Sequence, residues 1–251
     1  MRYAWIAFAL FICACGAEVE PGIEPPQPVI HAKTLPPEAV DHGLFADVNS
    51  TPAAIWIDWS SDGTGKTSGY EVYRSEDSGV GEDGVLLDKI TVARKEPSND
   101  LIQSLDTTHR DTMDVQYLRR YHYQVRAFNR SATNQYTWSK PSPVRNYRLL
   151  SPLTPIRPST QGIQLPGEGL EFSWTYGDQS EGGFFQVVLE RVNPPMLLWS
   201  SERIVLEGEL MIKRYPASAP ALSPNVLYRW RVKRMTSDGG SSSYWQQFSI
   251  K

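Results

Sequence analysis

Apolar and polar residues alternate with a period of two along several short segments of this chain. Between Ile55 and Trp59, the side chains of Ile55, Ile57 and Trp59 fall on one face, and Trp56 and Asp58 fall on the other. This alternation is typical of a half-buried β-strand. Further segments of the same kind include 69–75, 121–129 and 243–250. Clusters of Gly, Ser, Asp and Pro between them favour turns. The pattern therefore predicts an all-β fold built of many short strands.

The order of these segments repeats in the second half of the chain. Segment 170–174 corresponds to 55–59, 184–190 corresponds to 69–75, and 222–232 corresponds to the strand that contains 121–129. A repeat of this length indicates two copies of one domain. Prolines at 152 and 155 mark the boundary. We predict one domain over 28–150 and a second over 151–251, joined by a very short linker.

The residues at these positions resemble a fibronectin type III domain. The shared features are a tryptophan on the second strand (Trp59), the sequence Gly-Tyr-x-Val-Tyr-Arg-Ser from Gly69, and Tyr-x-Tyr-x-Val-x-Ala-x-Asn from Tyr121. Trp174 and Tyr228 match the same features in the second half. The resemblance implies two tandem fibronectin type III-like (immunoglobulin-like) β-sandwiches. It also implies that Tyr121 and Tyr228 are corner tyrosines, whose hydroxyls bond to nearby backbone.

One residue before the first corner departs from the family. Leu118 stands where bacterial members often carry glycine. We expect a changed turn at this position.

The first fourteen residues have the pattern of a signal peptide. Arg2 precedes a mostly apolar run from Tyr3 to Ala14, which is shorter than the about 20 residues that a membrane-spanning helix needs. The run ends in Ile12-Cys13-Ala14-Cys15, which resembles the lipobox of bacterial lipoproteins. The resemblance implies that residues 1–14 are removed, that Ile12, Cys13 and Ala14 form the cleavage site, and that Cys15 carries the lipid, palmitate among its acyl chains.

A proline-rich segment follows the proposed lipid site. Residues 15–27 offer little apolar surface to bury and contain several prolines, so we predict a flexible tether. Gly16 resembles the residue that directs lipoproteins to the outer membrane of Gram-negative bacteria. We therefore expect a lipid-anchored protein of the cell envelope, in the outer rather than the inner membrane if the host is Gram-negative. We expect its contact with the membrane to be the N-terminal lipid.

Charge and cysteine content narrow the functional classes. The chain has 25 Lys and Arg against 28 Asp and Glu, a formal net charge of −3, so it lacks the basic field that nucleic acid attracts. Of its two cysteines, one leaves with the signal and the other is the proposed lipid site. Since no thiol remains for a disulfide, we expect the folded domains to depend on packing alone.

The sequence carries no motif for a metal, a cofactor or catalysis. The histidines are far apart and lack metal-ligand spacing, and they are His31, His42, His109 and His122. No Gly-x-Ser-x-Gly nucleophile motif occurs. We therefore predict no catalytic residues, no metal and no cofactor, and a protein that is not an enzyme. An enzymatic site between the domains, built from His109, Arg110 and Asp111, stays open as the least favoured alternative.

Four aromatic residues are candidates for binding: Trp56, Tyr136, Trp138 and Trp199. Exposed aromatic rings stack on sugars or anchor protein interfaces, but large aromatic residues also cover sheet edges or fill contacts between domains. The favoured function is a non-catalytic binding or spacer protein that mediates protein–protein interaction with an envelope partner. A carbohydrate or cell-wall binding module that uses the exposed aromatic rings is the alternative.

Overall fold

The computed structural model describes residues 23–33, 35–36, 41, 43–47, 53–60, 67–76, 84–91, 108–159, 169–177, 182–205 and 208–251. All regular secondary structure in these residues is β-strand. A helix long and apolar enough to span a membrane is not found in this part of the chain. The predicted all-β fold class is therefore confirmed.

The first half of the chain forms two antiparallel sheets. Its strands are β1 (Val29–Ile30), β2 (Leu44–Asp47), β3 (Ala54–Ser60), β4 (Gly69–Ser75), β5 (Val85–Thr91), β6 (Thr108–Asp111), β7 (Arg120–Arg130), β8 (Tyr136–Trp138) and β9 (Arg145–Leu149). In one sheet, β3 pairs with β1, β2 and β6. In the other, the order is β5, β4, β7 and β9, and β8 also pairs with β7.

The second half repeats this arrangement. Its strands are β10 (Leu153–Arg157), β11 (Glu171–Tyr176), β12 (Phe184–Arg191), β13 (Met196–Ser200), β14 (Ile204–Val205), β15 (Leu210–Arg214), β16 (Leu227–Met235), β17 (Gly239–Ser242) and β18 (Gln246–Ser249). One sheet has the order β10, β11 and β15. In the other, β12 pairs with β13, β14 and β16, and β16 pairs with β17 and β18. This strand order is that of two fibronectin type III-like β-sandwiches.

The first strand of the first sandwich is interrupted. Asp58 of β3 donates its N–H to the carbonyl of Gly43 at 2.9 Å and accepts from the N–H of His31 at 3.0 Å. Since the N–H and C=O of one strand residue point to the same side, β1 and β2 lie along the same edge of β3. The chain between them leaves the edge and, as shown below, contacts the second sandwich.

Each sandwich has its own aromatic core. Trp59 is fully buried and packs edge-on against Tyr70, with ring centroids 5.4 Å apart. In the second sandwich, fully buried Trp174 packs in the same way against Phe185 at 5.6 Å. The two predicted core tryptophans thus have matching partners on the opposite sheet.

The two tyrosines assigned to corners have equivalent hydrogen bonds. The Tyr121 hydroxyl accepts from the N–H of Gln116 at 3.0 Å and donates to the carbonyl of Asp114 at 3.3 Å. The Tyr228 hydroxyl accepts from the N–H of Ser223 at 2.8 Å and lies 3.3 Å from the same residue's carbonyl. Both hydroxyls therefore fix the chain that precedes their strand.

A parallel strand pair joins the two sandwiches. Gly239 and Gly240 of β17 lie opposite Arg148 and Leu149 of β9. Arg148 donates its N–H to the carbonyl of Asp238 at 2.8 Å, and Leu150 donates to that of Gly240 at 2.9 Å. One sheet consequently runs through both sandwiches, and we call this contact the joint.

Candidate functional site

The residues proposed for cleavage and lipidation, Ile12, Cys13, Ala14 and Cys15, lie outside the described residues. Of the predicted tether, the structure describes residues 23–27. The side chain of Asn129 donates to the carbonyl of Ile23 at 3.1 Å, and that of Gln27 donates to the carbonyl of Pro141 at 2.6 Å. The last residues of the predicted tether therefore contact the first sandwich. The domain boundaries at 27 and 150 stay predictions.

Trp56 lies on the face of β3 opposite the core. Its neighbours Ile55 and Ile57 are buried, whereas Trp56 is half-buried. Its ring stacks on Phe45 of β2, with centroids 6.1 Å apart and planes 12° from parallel. The outward orientation expected from the alternation is thus present, and Phe45 covers part of the ring.

Tyr136 and Trp138 form an aromatic cluster with Phe128. Tyr136 and Trp138 stand two residues apart on β8, so their side chains share one face. Their rings are 5.7 Å apart and 16° from parallel. Phe128 of β7 packs against both at 5.6 and 5.4 Å. Since Phe128 is buried and Tyr136 is 40% exposed, the cluster runs from the sheet surface to solvent.

Two cations cover this cluster. The Lys89 ammonium lies 4.3 Å from the Tyr136 ring centroid, 4.7 Å from that of Phe128 and 5.3 Å from that of Trp138. The Arg126 guanidinium lies 5.1 Å from the Trp138 ring centroid. These distances are within the range of cation–π attraction. We call the five residues Lys89, Arg126, Phe128, Tyr136 and Trp138 the cationic aromatic patch.

A carboxylate holds one of these cations in place. Glu71 is buried and lies 3.2 Å from the Lys89 ammonium. Its other oxygen accepts a hydrogen bond from the Tyr73 hydroxyl. Burial and this hydrogen bond raise the pKa of Tyr73 to about 12, so Tyr73 stays a donor at neutral pH. The patch therefore presents aromatic rings together with fixed positive charge.

Trp199 belongs to the second core rather than to an open surface. Its ring stacks on Phe172 at 5.8 Å and contacts Tyr215 edge-on at 5.3 Å. Phe172 is fully buried. Trp199 thus extends the second core outward along β13, as the edge-covering alternative expects.

Trp245 shows a second cation–aromatic arrangement. Its ring lies 4.4 Å from the Arg229 guanidinium and 4.7 Å from that of Arg231. Both arginines stand on the outer face of β16, two residues apart. The sequence alone does not distinguish this tryptophan from Trp138.

The enzymatic alternative requires His109, Arg110 and Asp111 to converge on one site. Asp111 is buried and accepts from Arg74 at 2.9 Å and from the Tyr123 hydroxyl at 2.8 Å. His109 lies 3.2 Å from Asp88, and Arg110 lies opposite Trp56 in the β3–β6 pair. Since side chains alternate along a strand, Arg110 also points to the opposite face of β6 from His109 and Asp111.

The Asp111 carboxylate acts within the first core. Burial and the adjacent Asp111 charge raise the pKa of Tyr123 well above its ordinary value, which keeps the Tyr123 hydroxyl protonated. Asp111 also accepts from the N–H of Met113 at 3.0 Å. Among the residues that the structure describes, no group of three His, Cys, Asp or Glu side chains is arranged to hold a metal ion.

Charged residues surround the joint, and sequence reasoning did not find them. Asp41, from the chain between β1 and β2, binds Lys233 at 2.7 Å and Arg231 at 3.0 Å. Asp238 binds Arg120 and Arg148 of the first sandwich. Burial alone opposes ionisation of Asp238, but these two arginines and Thr236 lower the pKa of its carboxyl below the ordinary value. Each carboxylate thus bridges two cations.

Lys33 completes the joint from the first sandwich. Its ammonium donates to the carbonyl oxygens of Thr236, at 2.8 Å, and of Gly239. It also lies 5.5 Å from the Tyr147 ring centroid. Burial lowers the pKa of Lys33 to about 8, although the charges of Asp238 and Asp41 favour its ionised form.

Comparison with known proteins gives no family assignment. No protein-family model matches the chain, and no curated protein matches it. Among solved structures, chicken CNTN1 domains FN1–FN3 share 13% identity at a TM-score of 0.37, covering 92% of this chain and 69% of that one. The fibronectin(III)-like modules of Clostridium thermocellum CbhA share 12% identity at a TM-score of 0.25, covering 79% of this chain and 85% of that one. Similarity at this level carries no functional argument, and the fold assignment rests on the strand order given above.

Proposed function

We propose that this protein is a lipid-anchored spacer and binding module of the cell envelope, without catalytic activity of its own. The joint is the observation that carries the spacer role. Main-chain hydrogen bonds and two carboxylate bridges connect the sandwiches, so the pair behaves as one body rather than as two domains on a hinge. A body of this kind holds a binding surface at a fixed distance from its anchor.

The anchor is supported by the sequence at Ile12-Cys13-Ala14-Cys15. Acyl chains contribute about 0.8 kcal/mol per buried methylene, and lasting attachment needs more than one chain. The lipid on Cys15 attaches the chain to the outer membrane in a Gram-negative host, and the tether carries the first sandwich away from the bilayer.

The test of the anchor is the intact mass of the protein purified from its native membrane. A mature chain that begins at Cys15 and carries acyl chains is the expected result. In the Cys15→Ser variant, both sandwiches should still fold. In a detergent phase-partition experiment, this variant should move from the detergent phase to the aqueous phase. Cys13→Ser is the matched control and should remain lipidated. A Cys15→Ser protein that still partitions into detergent contradicts the anchor.

The cationic aromatic patch is the proposed contact with a protein partner. Its rings offer apolar area at low entropic cost, and Lys89 and Arg126 favour a partner that presents carboxylates. Partner capture by crosslinking in the envelope tests this surface. Trp138→Ala should reduce capture at least tenfold, and Trp245→Ala, which removes another cation-stacked tryptophan, should leave it unchanged. Equal capture by both variants and the parent contradicts the assignment.

A carbohydrate-binding role is the second candidate. The aromatic pair of Tyr136 and Trp138 is the observation that favours it, because exposed aromatic rings stack on sugars. Lys89 covers the same rings, which favours the protein partner instead. Retention of the parent protein on cell-wall polysaccharide, lost in Trp138→Ala, would reverse this preference.

A further inference from the structure

The last residues of the tether are fixed beside the strands that carry the cationic aromatic patch. Two side-chain hydrogen bonds hold residues 23–27 on the first sandwich, and Pro25 between them is buried. One of the two donors, Asn129, stands next to Phe128 of the patch in β7. Residues 15–22 therefore connect the proposed lipid to a point close to the patch.

The length of this connection limits how far the patch stands from the membrane. A chain spans at most about 3.3–3.6 Å per residue, so residues 15–22 reach about 28 Å at most in any conformation. Trp138 lies opposite Phe128, and neighbouring strands are about 4.8 Å apart, so the patch begins within about 15 Å of Ile23. The patch thus lies within about 45 Å of the lipid on Cys15.

The second sandwich extends away from this end of the body. β7 begins with Arg120 at the joint and ends with Arg130 near the tether, a rise of roughly 33 Å. β16 runs parallel to β7, because each is antiparallel to its neighbour in the parallel β9–β17 pair. Since Met235, the last residue of β16, lies at the joint, Arg229 lies roughly 50 Å along the sheet from Asn129. The patch therefore belongs to the end of the body nearest the proposed lipid.

Positive charge exceeds negative charge around the patch. Arg130 is exposed and shares the outer face of β7 with Arg126. Its guanidinium binds the neutral side-chain oxygen of Asn134 at 2.6 and 2.9 Å. Together with Lys89, this face has three cations, and the described residues of β4, β5, β7 and β8 contribute one carboxylate to it, that of Glu71. A partner surface that presents carboxylates complements this charge.

We propose that the protein partner of the patch belongs to the same membrane and presents an acidic segment close to the bilayer surface. This inference rests on the proposed function, because it takes the patch as the binding surface and Cys15 as the anchor. Within about 45 Å of the bilayer, the patch meets membrane proteins and other lipoproteins before it meets proteins of a more distant layer. Anchoring of both proteins in one membrane raises their effective concentration, so a weak electrostatic contact is enough for a lasting complex.

Photo-crosslinking in the native envelope tests the kind of partner. A photoreactive phenylalanine replaces Leu86, which is 44% exposed on β5 opposite Tyr73, so the five patch residues stay intact. The same replacement of Leu197, which is 47% exposed in the second sandwich, is the matched control. Mass spectrometry of the adduct from position 86 should identify a membrane protein or a lipoprotein that is crosslinked through an acidic segment. An adduct with a soluble or cell-wall protein, or equal yields of the adduct from both positions, overturns the inference.

The length of the tether gives results of opposite sign for the two kinds of partner. Insertion of about 20 Gly and Ser residues after Pro21 should lower the yield of the adduct roughly sixfold, because effective concentration falls as about the −3/2 power of linker length. Replacement of residues 17–22 by Gly and Ser at unchanged length is the control and should keep the yield. A longer tether would bring a partner in a distant layer within reach. A yield that stays constant or rises with tether length therefore overturns the inference.

The variant Trp138→Ala separates this inference from the proposed function. If its adduct yield equals that of the parent, the patch is not the binding surface, and the proposed function fails together with the inference. If Trp138→Ala lowers the yield tenfold but the longer tether does not lower it, the location of the partner alone is wrong. Vesicles of phosphatidylglycerol and phosphatidylethanolamine test the bilayer as the ligand. Binding of the unlipidated mature chain to these vesicles, lost in Trp138→Ala, would overturn the assignment to a protein.

Discussion

Leu118 and Asn225 occupy the same position in the two sandwiches and share an unusual backbone conformation. Each stands three residues before its corner tyrosine. Leu118 has a φ of 66° and Asn225 a φ of 60°. Leu118 donates its N–H to the carbonyl of Leu149 at 2.7 Å, and Asn225 donates to that of Ile250 at 2.9 Å. Both turns therefore require the left-handed region, which asparagine and glycine tolerate better than leucine.

We expect Leu118→Asn to stabilise the first sandwich by about 1 kcal/mol, because a non-glycine residue in this region carries about 1–3 kcal/mol of strain. Leu118 is 45% exposed, so little packing is lost. Urea unfolding measures the gain. Leu197→Asn, at a strand position that is 47% exposed, is the control and should not stabilise. A Leu118→Asn protein no more stable than the parent would show that the turn is not strained.

Tyr228→Phe tests the second corner. It removes the hydroxyl that accepts from the N–H of Ser223 and leaves this partner unsatisfied, at a cost of about 1–3 kcal/mol. Chemical denaturation gives the change in the free energy of unfolding. Tyr244→Phe, at a tyrosine that is 54% exposed, should be close to neutral. Equal effects of the two substitutions would argue against a structural role of the Tyr228 hydroxyl.

Gly239→Ala tests the joint. A Cβ atom on Gly239 would lie 2.2 Å from the Arg148 carbonyl oxygen, so β17 and β9 must separate. We expect the free energy of unfolding to fall by about 1–3 kcal/mol. The distribution of interatomic distances from small-angle scattering should become broader, because the sandwiches then move independently. Gly177→Ala adds a Cβ with nothing within 4 Å and should change neither quantity. Unchanged scattering from the Gly239→Ala protein contradicts the claim that this contact holds the sandwiches together.

The lowered pKa of Lys33 predicts that the stability of the protein rises with pH. Burial lowers its pKa from 10.5 to about 8 in the folded protein, so between these values the unfolded chain binds more protons than the folded one. Stability therefore increases as the pH rises through this window. Lys33→Met should flatten the increase between pH 8 and about 9.5, measured by urea unfolding at each pH. Lys140→Met, at an exposed lysine, should keep it, and a parent protein whose stability is flat in this range refutes the prediction.

The fold was accessible from sequence because its signals are local. The alternation of Ile55, Ile57 and Trp59 specifies one buried face within five residues. The corner assignments of Tyr121 and Tyr228 come from the resemblance of short segments to the fibronectin type III pattern. Each of these signals depends on neighbours in the chain, and the repeat of the layout reinforces it.

The joint was not accessible in this way. Lys33 contacts Gly239 across about two hundred residues, and neither position belongs to an alternating segment. Asp238-Gly239-Gly240 has the composition of an ordinary hairpin turn. The sequence therefore does not indicate that this segment pairs with β9. The aromatic residues show the same limit, because the sequence gives the outward orientation of Trp56 but not its cover by Phe45, or the core contacts of Trp199.

The parallel pairing of β9 with β17 also changes the thermodynamics of recognition. Two domains on a free linker lose orientational freedom when a partner touches both, and that loss weakens binding. In this protein the relative orientation is already set before any partner arrives. A ligand that spans both sandwiches therefore meets a preorganised surface, and more of its contact energy is retained as affinity.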